Sequence, residues 1–72
     1  MKYSVYKCVN GNFEITQETT DIISAKVNHH NTCAALWNDN GAVKAEVKIL
    51  DENLNCVDGC EEYIEHPAKQ NN

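Results

Sequence analysis

Residues 3–16, YSVYKCVNGNFEIT, decide the fold through the two residues at their centre. Asn10-Gly11 suits a type I′ turn, whose central residues both need positive φ. Glycine tolerates this freely and asparagine better than most side chains. A two-residue loop also sets the register of the strands it joins: Val9 faces Asn12, Cys8 faces Phe13, Lys7 faces Glu14, Tyr6 faces Ile15 and Val5 faces Thr16. Directly opposed residues share a face. One face therefore collects Tyr6, Cys8, Phe13 and Ile15, and the other carries Lys7 against Glu14 together with Tyr3, Val5 and Val9. The first face is the expected core. A slip of one residue would turn Phe13 and Ile15 to the wrong side and separate Lys7 from Glu14, so turn chemistry and apolar pattern agree.

A helix is expected next. From Asp21 to about Trp37 there is neither glycine nor proline. Thr19 or Thr20 is placed to cap its start, Asp21 complements the dipole of its first turn, and Asn38, Asp39, Asn40 and Gly41 end it. At 100° per residue, Ile23, Val27, His30, Ala34 and Trp37 form one stripe with Ile22, Cys33 and Leu36 beside it, while Ser24, Asn28, Asn31, Thr32 and Asn38 fall opposite. The stripe is expected to lie on a sheet, with Trp37 as its largest core residue and His30 packed within it. His29, nearer the edge of the arc, is expected to be partly solvated.

From Ala42 to Leu50, Val43, Ala45, Val47 and Ile49 alternate with Lys44, Glu46 and Lys48, the pattern of a strand with one buried face. Asp51, Glu52 and Asn53 make a turn, and Leu54 to Val57 begins a return strand. We read Asp58-Gly59 as a bend within that strand, which then runs to Glu65. His66-Pro67 ends regular structure. The expected product is one α+β domain over residues 1–66 with a disordered C-terminal tail at 67–72. Its order is ββαββ, a four-stranded antiparallel sheet with one helix on one face. A single helix covers one side only, so Tyr3, Val5 and Val9 are expected to stay exposed as a self-association face of a homodimer.

Composition narrows the function classes. A chain of 72 residues has a thin core and gains from a staple or a partner. Eleven acids stand against six lysines with no arginine, for a formal charge of -5. That balance argues against direct nucleic-acid binding, which relies on cations to neutralise phosphates. No leader and no apolar run of membrane-spanning length is visible, so a cytoplasmic protein without membrane association is the default expectation. Four cysteines in a reducing compartment are expected as free thiols, mostly buried.

Several residues have the right chemistry for a site. His30 and Cys33 are three apart on a helix and meet on one face, as metal ligands or as a base beside a nucleophile. With Cys56 and Cys60, Cys33 and either His30 or His29 offer a Cys-rich zinc set, the alternative reading of this chain as a Cys/His zinc- or redox-linked module. No paired C-x-x-C knuckle accompanies them, and no cofactor is expected. Asp51, Asn53, Asn55 and Glu62 mimic the first, third, fifth and twelfth positions of a calcium loop, but Cys56 stands where that loop needs glycine. Glu61 and Glu62 alternate across a strand with no pocket to shift their pKa. No oxyanion loop or phosphate cradle is present, so no enzyme is expected.

The stretch from Asp51 to Glu65 holds six of the eleven acids and neither lysine nor arginine. Asp51, Glu52, Asp58, Glu61, Glu62 and Glu65 would concentrate negative potential along one sheet edge, suited to a protein partner with a basic surface. The expected function is thus a small acidic non-enzymatic interaction module. Its size, acidity and asparagine- and lysine-rich, arginine-free composition fit an inhibitor of the kind encoded by phages or mobile elements.

Overall fold

A computed structural model describes residues 1–66 and contains, in chain order, β1 (Tyr3–Val9), β2 (Asn12–Thr19), α1 (Ile22–Trp37), β3 (Lys44–Leu50) and β4 (Cys56–Glu65). The four strands form one antiparallel sheet in the order β2-β1-β3-β4, which makes β1 and β3 central and leaves β2 and β4 as edges. Helix α1 packs on one face and touches all four strands. This is the expected ββαββ, α+β architecture. The tail expected at 67–72 lies outside the described residues.

The first hairpin turns at Asn10 (φ 51°) and Gly11 (φ 88°). Pairing runs as expected from Val9 opposite Asn12 to Tyr6 opposite Ile15. The register then shifts, so that Val5 opposes Gln17 instead of Thr16. The displaced Thr16 donates its hydroxyl to Asn28 Oδ1 at 2.6 Å, which ties the irregularity to the helix. Asn10 also clamps the far end of the sheet. Its Nδ2 donates to the Gly41 carbonyl at 2.8 Å, its Oδ1 accepts from Lys44 N at 3.1 Å, and its own N donates to the Lys44 carbonyl at 2.7 Å.

The helix lies on the face opposite to the one expected. Pairing of β1 with β3 sets Val5 against Ile49 and Val9 against Ala45, and these residues look toward α1. Val5, Val47 and Ile49 are completely buried, and Ala45, Cys60 and Ile64 nearly so. They meet Ala25, Cys33 and Leu36 of the helix, while Tyr3, Val9, Ile22 and Val57 pack around them. Tyr3, Val5 and Val9 are therefore core or core-flanking residues, and the exposed self-association face expected there does not exist. The reason is β3. Its alternation puts Lys44, Glu46 and Lys48 on the face shared with Tyr6 and Cys8, and charged side chains resist burial without compensation. The apolar side of β3 had to be the covered one.

Helix α1 is also rotated from its expected setting. Ala25, Cys33 and Leu36 are buried, whereas Ile23, Val27, His30, Ala34 and Trp37 face outward. Polar bonds select this rotation, because the helix rests partly on β2, which offers Thr16 and Gln17. Thr16 binds Asn28, Gln17 Nε2 donates to Ser24 Oγ at 3.2 Å, and His29 Nε2 lies 3.2 Å from the Val47 carbonyl. The N-cap is Asp21, whose Oδ1 accepts from Ile23 N at 2.9 Å, and Thr19 Oγ1 accepts from Asp21 N at 3.1 Å. Thr19 thus supports the cap instead of forming it.

The second hairpin turns through Asp51–Asn55. Asp51 Oδ1 accepts from Asn53 N at 2.8 Å and Asn55 N at 3.0 Å, an Asx-type closure. That use explains the calcium-like spacing of these residues. β4 continues through Asp58 and Gly59 (φ 76°) with a register shift between the Lys48–Glu61 and Leu50–Cys56 pairs, so the strand is bent as expected.

The inverted face has a direct test. Ile49→Ala is expected to lower unfolding stability by roughly 2–5 kcal/mol, whereas Phe13→Ala, on the open face at 62% exposure, costs about 1 kcal/mol or less. Urea melts of the two variants check the ordering, and a larger loss at Phe13 would place the helix on the other side.

Candidate functional site

The open face of the sheet is built from alternate residues of all four strands. Phe13 and Ile15 of β2, Tyr6 and Cys8 of β1, Glu46 and Lys48 of β3, and Glu61 and Tyr63 of β4 share it through their cross-strand pairs. Tyr6 and Phe13 stack with ring centroids 4.6 Å apart. Lys48 Nζ lies 3.1 Å from Glu61 Oε2 and 3.4 Å from Glu46 Oε1, and sits 5.9 Å over the Tyr63 ring. The Tyr6 hydroxyl donates to Glu46 Oε1 at 3.3 Å. The hydrogen bond to Glu61 leads in holding the Lys48 ammonium above its ordinary pKa. Burial pushes the Tyr6 and Tyr63 phenols upward, helped by Glu46 at the first and Glu61 at the second. Phe13, Ile15 and Tyr63 remain exposed at the rim. The result is an apolar surface with a neutralised centre.

The acidic segment occupies edge strand β4 and the loop before it. Glu61 and Glu62 diverge as strand neighbours must: Glu61 faces Lys48 on the open face, and Glu62 turns to the helix side opposite Val47. Glu62 Oε2 accepts from Trp37 Nε1 at 2.6 Å. Asp51 is spent on the turn, Glu52 Oε1 accepts from Lys2 N at 3.3 Å, Glu65 pairs with Lys44 in the ladder, and Asp58 is exposed in the bend. The six carboxylates thus share one edge element but not one face.

Leu54, expected to open the return strand, lies in the loop before it, since β4 starts at Cys56. It stands at the tip of the acidic loop with φ 65°, 77% exposed. A leucine rarely takes this backbone conformation, which suits glycine or asparagine. The signal was present as an apolar residue inside a turn-forming run, Asp51 to Asn55.

The proposed metal set does not converge. Cys33 is buried and its Sγ approaches His29, at 4.0 Å from Nδ1 and 3.9 Å from Nε2, while His30 points outward. The histidine that the thiol meets is four positions away, not three, which is the alternative helical neighbour spacing. Cys56 is exposed and Cys60 buried at the bent start of β4, where Cys56 Sγ contacts the Cys60 carbonyl at 3.8 Å. Among the described residues no group of three or more histidines, cysteines or carboxylates could hold a metal ion. All four cysteines are unpaired.

Cys33, His29 and Glu62 line a depression of about 230 Å³ with His30, Ala34 and Trp37. Burial, and then the negative charge of Glu62, push the Cys33 thiol from its ordinary 9.0 up to about 11. His29 Nε2 lies 3.2 Å from the Val47 carbonyl. Burial and Glu62 keep the sulfur protonated at neutral pH, the reverse of what an activated nucleophile needs. A larger depression of about 350 Å³ between the hairpin tip and the end of α1, lined in part by Lys7, Glu14, Leu36 and Asp39, gathers no comparable set.

Compared with known proteins, the chain matches no family model, no curated protein and no solved structure. No helix among the described residues is long and apolar enough to cross a membrane.

The raised thiol predicts an alkaline loss of stability. Its folded-state pKa exceeds the unfolded value, so its contribution is complete below about 9 and disappears as pH rises toward about 11. Thermal melts between those limits should show a steeper fall in the wild type than in Cys33→Ala, where only the raised Tyr6, Cys56 and Tyr63 groups remain to contribute. In native protein at pH 8, iodoacetamide should modify exposed Cys56 well before Cys33; equal rates would contradict the burial described.

Proposed function

We propose that this chain is a small non-enzymatic interaction module that docks on a protein partner with a basic surface through the β4 edge and its leading loop. The observation that supports it is the placement of Asp51 to Glu65, six carboxylates and no cation, along edge strand β4 and the loop before it, beside two exposed apolar side chains, Leu54 and Tyr63. Apolar anchors framed by charge are the composition of a transient interface, in which the anchors supply affinity and the charges supply rate and selectivity. Lys48 pairs with Glu61 and Glu46 and Lys44 stands opposite Glu65, whereas Asp58 is exposed in the bend with no lysine paired to it among the described residues.

An inhibitor of the phage or mobile-element kind is one form such a module takes. Docking of this sort is steered by charge and weakens as salt rises.

The test is capture from the source cell with immobilised protein. A basic protein should be retained at low salt and released as salt is raised, and a folded Asp58→Lys/Glu65→Lys double variant should fail to retain it. Retention unchanged by the double variant, or capture of acidic proteins alone, would remove the reading.

A further inference from the structure

The helix carries two apolar stripes, and only one is used. Ile22, Ala25, Cys33 and Leu36 serve the core. The other, Ile23, Val27, His30, Ala34 and Trp37, faces outward, with Ile23 63%, Val27 55% and Trp37 48% exposed. Its steps alternate four, three, four, three. That is the a/d spacing of a helix that packs along its length against another helix, and it is distinct from the stripe the sheet consumes.

From this arrangement we infer that α1 pairs with α1 of a second copy, antiparallel, about a two-fold axis at His30. Helical geometry then sets Ile23 against Trp37 and Val27 against Ala34, a larger residue beside a smaller one in the second case, with His30 against its own copy. The charges support the same choice. Lys26 is the only lysine, arginine or acid between Ile22 and Trp37, and it makes no ion pair among the described residues. It lies on the flank of the stripe that continues through Cys33 to Trp37, where Glu62 is held by the indole. An antiparallel seam matches each flank with itself end for end, which brings Lys26 to the partner's Glu62. The opposite flank matches Asn31 with its copy and Ser24 with Asn38, all neutral and able to hydrogen-bond. A parallel seam would place Lys26 across from Asn31 and leave it without an anion.

A second copy is also the occupant that charge permits. Each chain carries -5, yet α1 itself holds no acid, and the acid beside its stripe is Glu62 of β4, which Lys26 meets. A seam of 16 residues is about 24 Å long, and such a contact falls at the small end of specific interfaces, near 1,200 Å² in total. The inference concerns the purified chain alone and is independent of the acidic-edge reading.

Sedimentation velocity from about 5 to 500 µM tests it. The wild type should shift from the 8.1 kDa chain mass toward twice that value, and Trp37, the single tryptophan, should shift its emission to the blue as the complex forms. Val27→Glu, at an exposed position, should stay monomeric throughout that range with the wild-type circular dichroism. Lys26→Glu should weaken association at least tenfold, and adding Glu62→Lys to it should restore most of that loss. A wild type monomeric at 500 µM overturns the inference, as does a dimer that tolerates Val27→Glu. A dimer broken by Phe13→Glu and not by Val27→Glu assigns association to the open sheet face instead. Because Val27→Glu leaves the β4 edge intact, retention of a basic partner by that monomeric variant separates the two readings.

Discussion

Pairing of β1 with β3 is the constraint on which the rest of this structure depends. β3 presents Ala45, Val47 and Ile49 on one side and Lys44, Glu46 and Lys48 on the other, with no ambiguity about which side can be dry. Once Val5 sits against Ile49 and Val9 against Ala45, β1 inherits that division, and β2 inherits it from β1. Tyr6, Phe13 and Ile15 are larger than Val5 and Val9, yet size does not decide. Covering their face would have required desolvating the Lys48, Glu46 and Glu61 cluster, whereas leaving it open lets the same cluster form in water at little cost.

That inheritance explains which parts of the fold were legible in the chain. Asn10-Gly11 and the alternation after Ala42 are local signals, and the first hairpin, the strand β3, the bent β4 and the order ββαββ followed from them. The covered face was not local. It rested on a pairing between residues some forty positions apart, and the hairpin taken alone favours Phe13 and Ile15 by bulk. The shift that moves Val5 from Thr16 to Gln17 was equally hidden, since it answers to Asn28 on a helix that the hairpin does not contain.

The helix failed differently. Two stripes of helical period coexist on α1, one richer in apolar residues and one mixing Ala25, Cys33 and Leu36 with Ser24, Asn28 and His29. Apolar count selects the first. The sheet selects the second, because β2 brings Thr16 and Gln17 to the joint, where the Thr16 hydroxyl and Gln17 Nε2 find partners on the helix while Gln17 Oε1 finds none among the described residues. The site residues moved with it: His29 took the place expected for His30 beside Cys33, and Trp37 left the core to bind Glu62. The acidic edge was legible because it needed only composition and one strand. Leu54 was not, since its prominence comes from a backbone angle.

The β4 edge and the outer stripe of α1 are electrostatically different, and the difference bears on how the molecule avoids itself. β4 is an edge strand with unused backbone groups, and edge strands invite pairing with a second chain. Two β4 edges would bring four carboxylates against four, and the bend at Gly59 interrupts the ladder they would need. β2, the other edge, is interrupted beside Thr16. Strand-to-strand association is thus obstructed at both edges by charge or irregularity. The helix stripe lacks either obstacle, being nearly uncharged and regular over its whole length. On the readings proposed above, the same acids that bar β4 from its own copy leave it free for a basic surface, and contact between copies is confined to the one element that carries almost no charge.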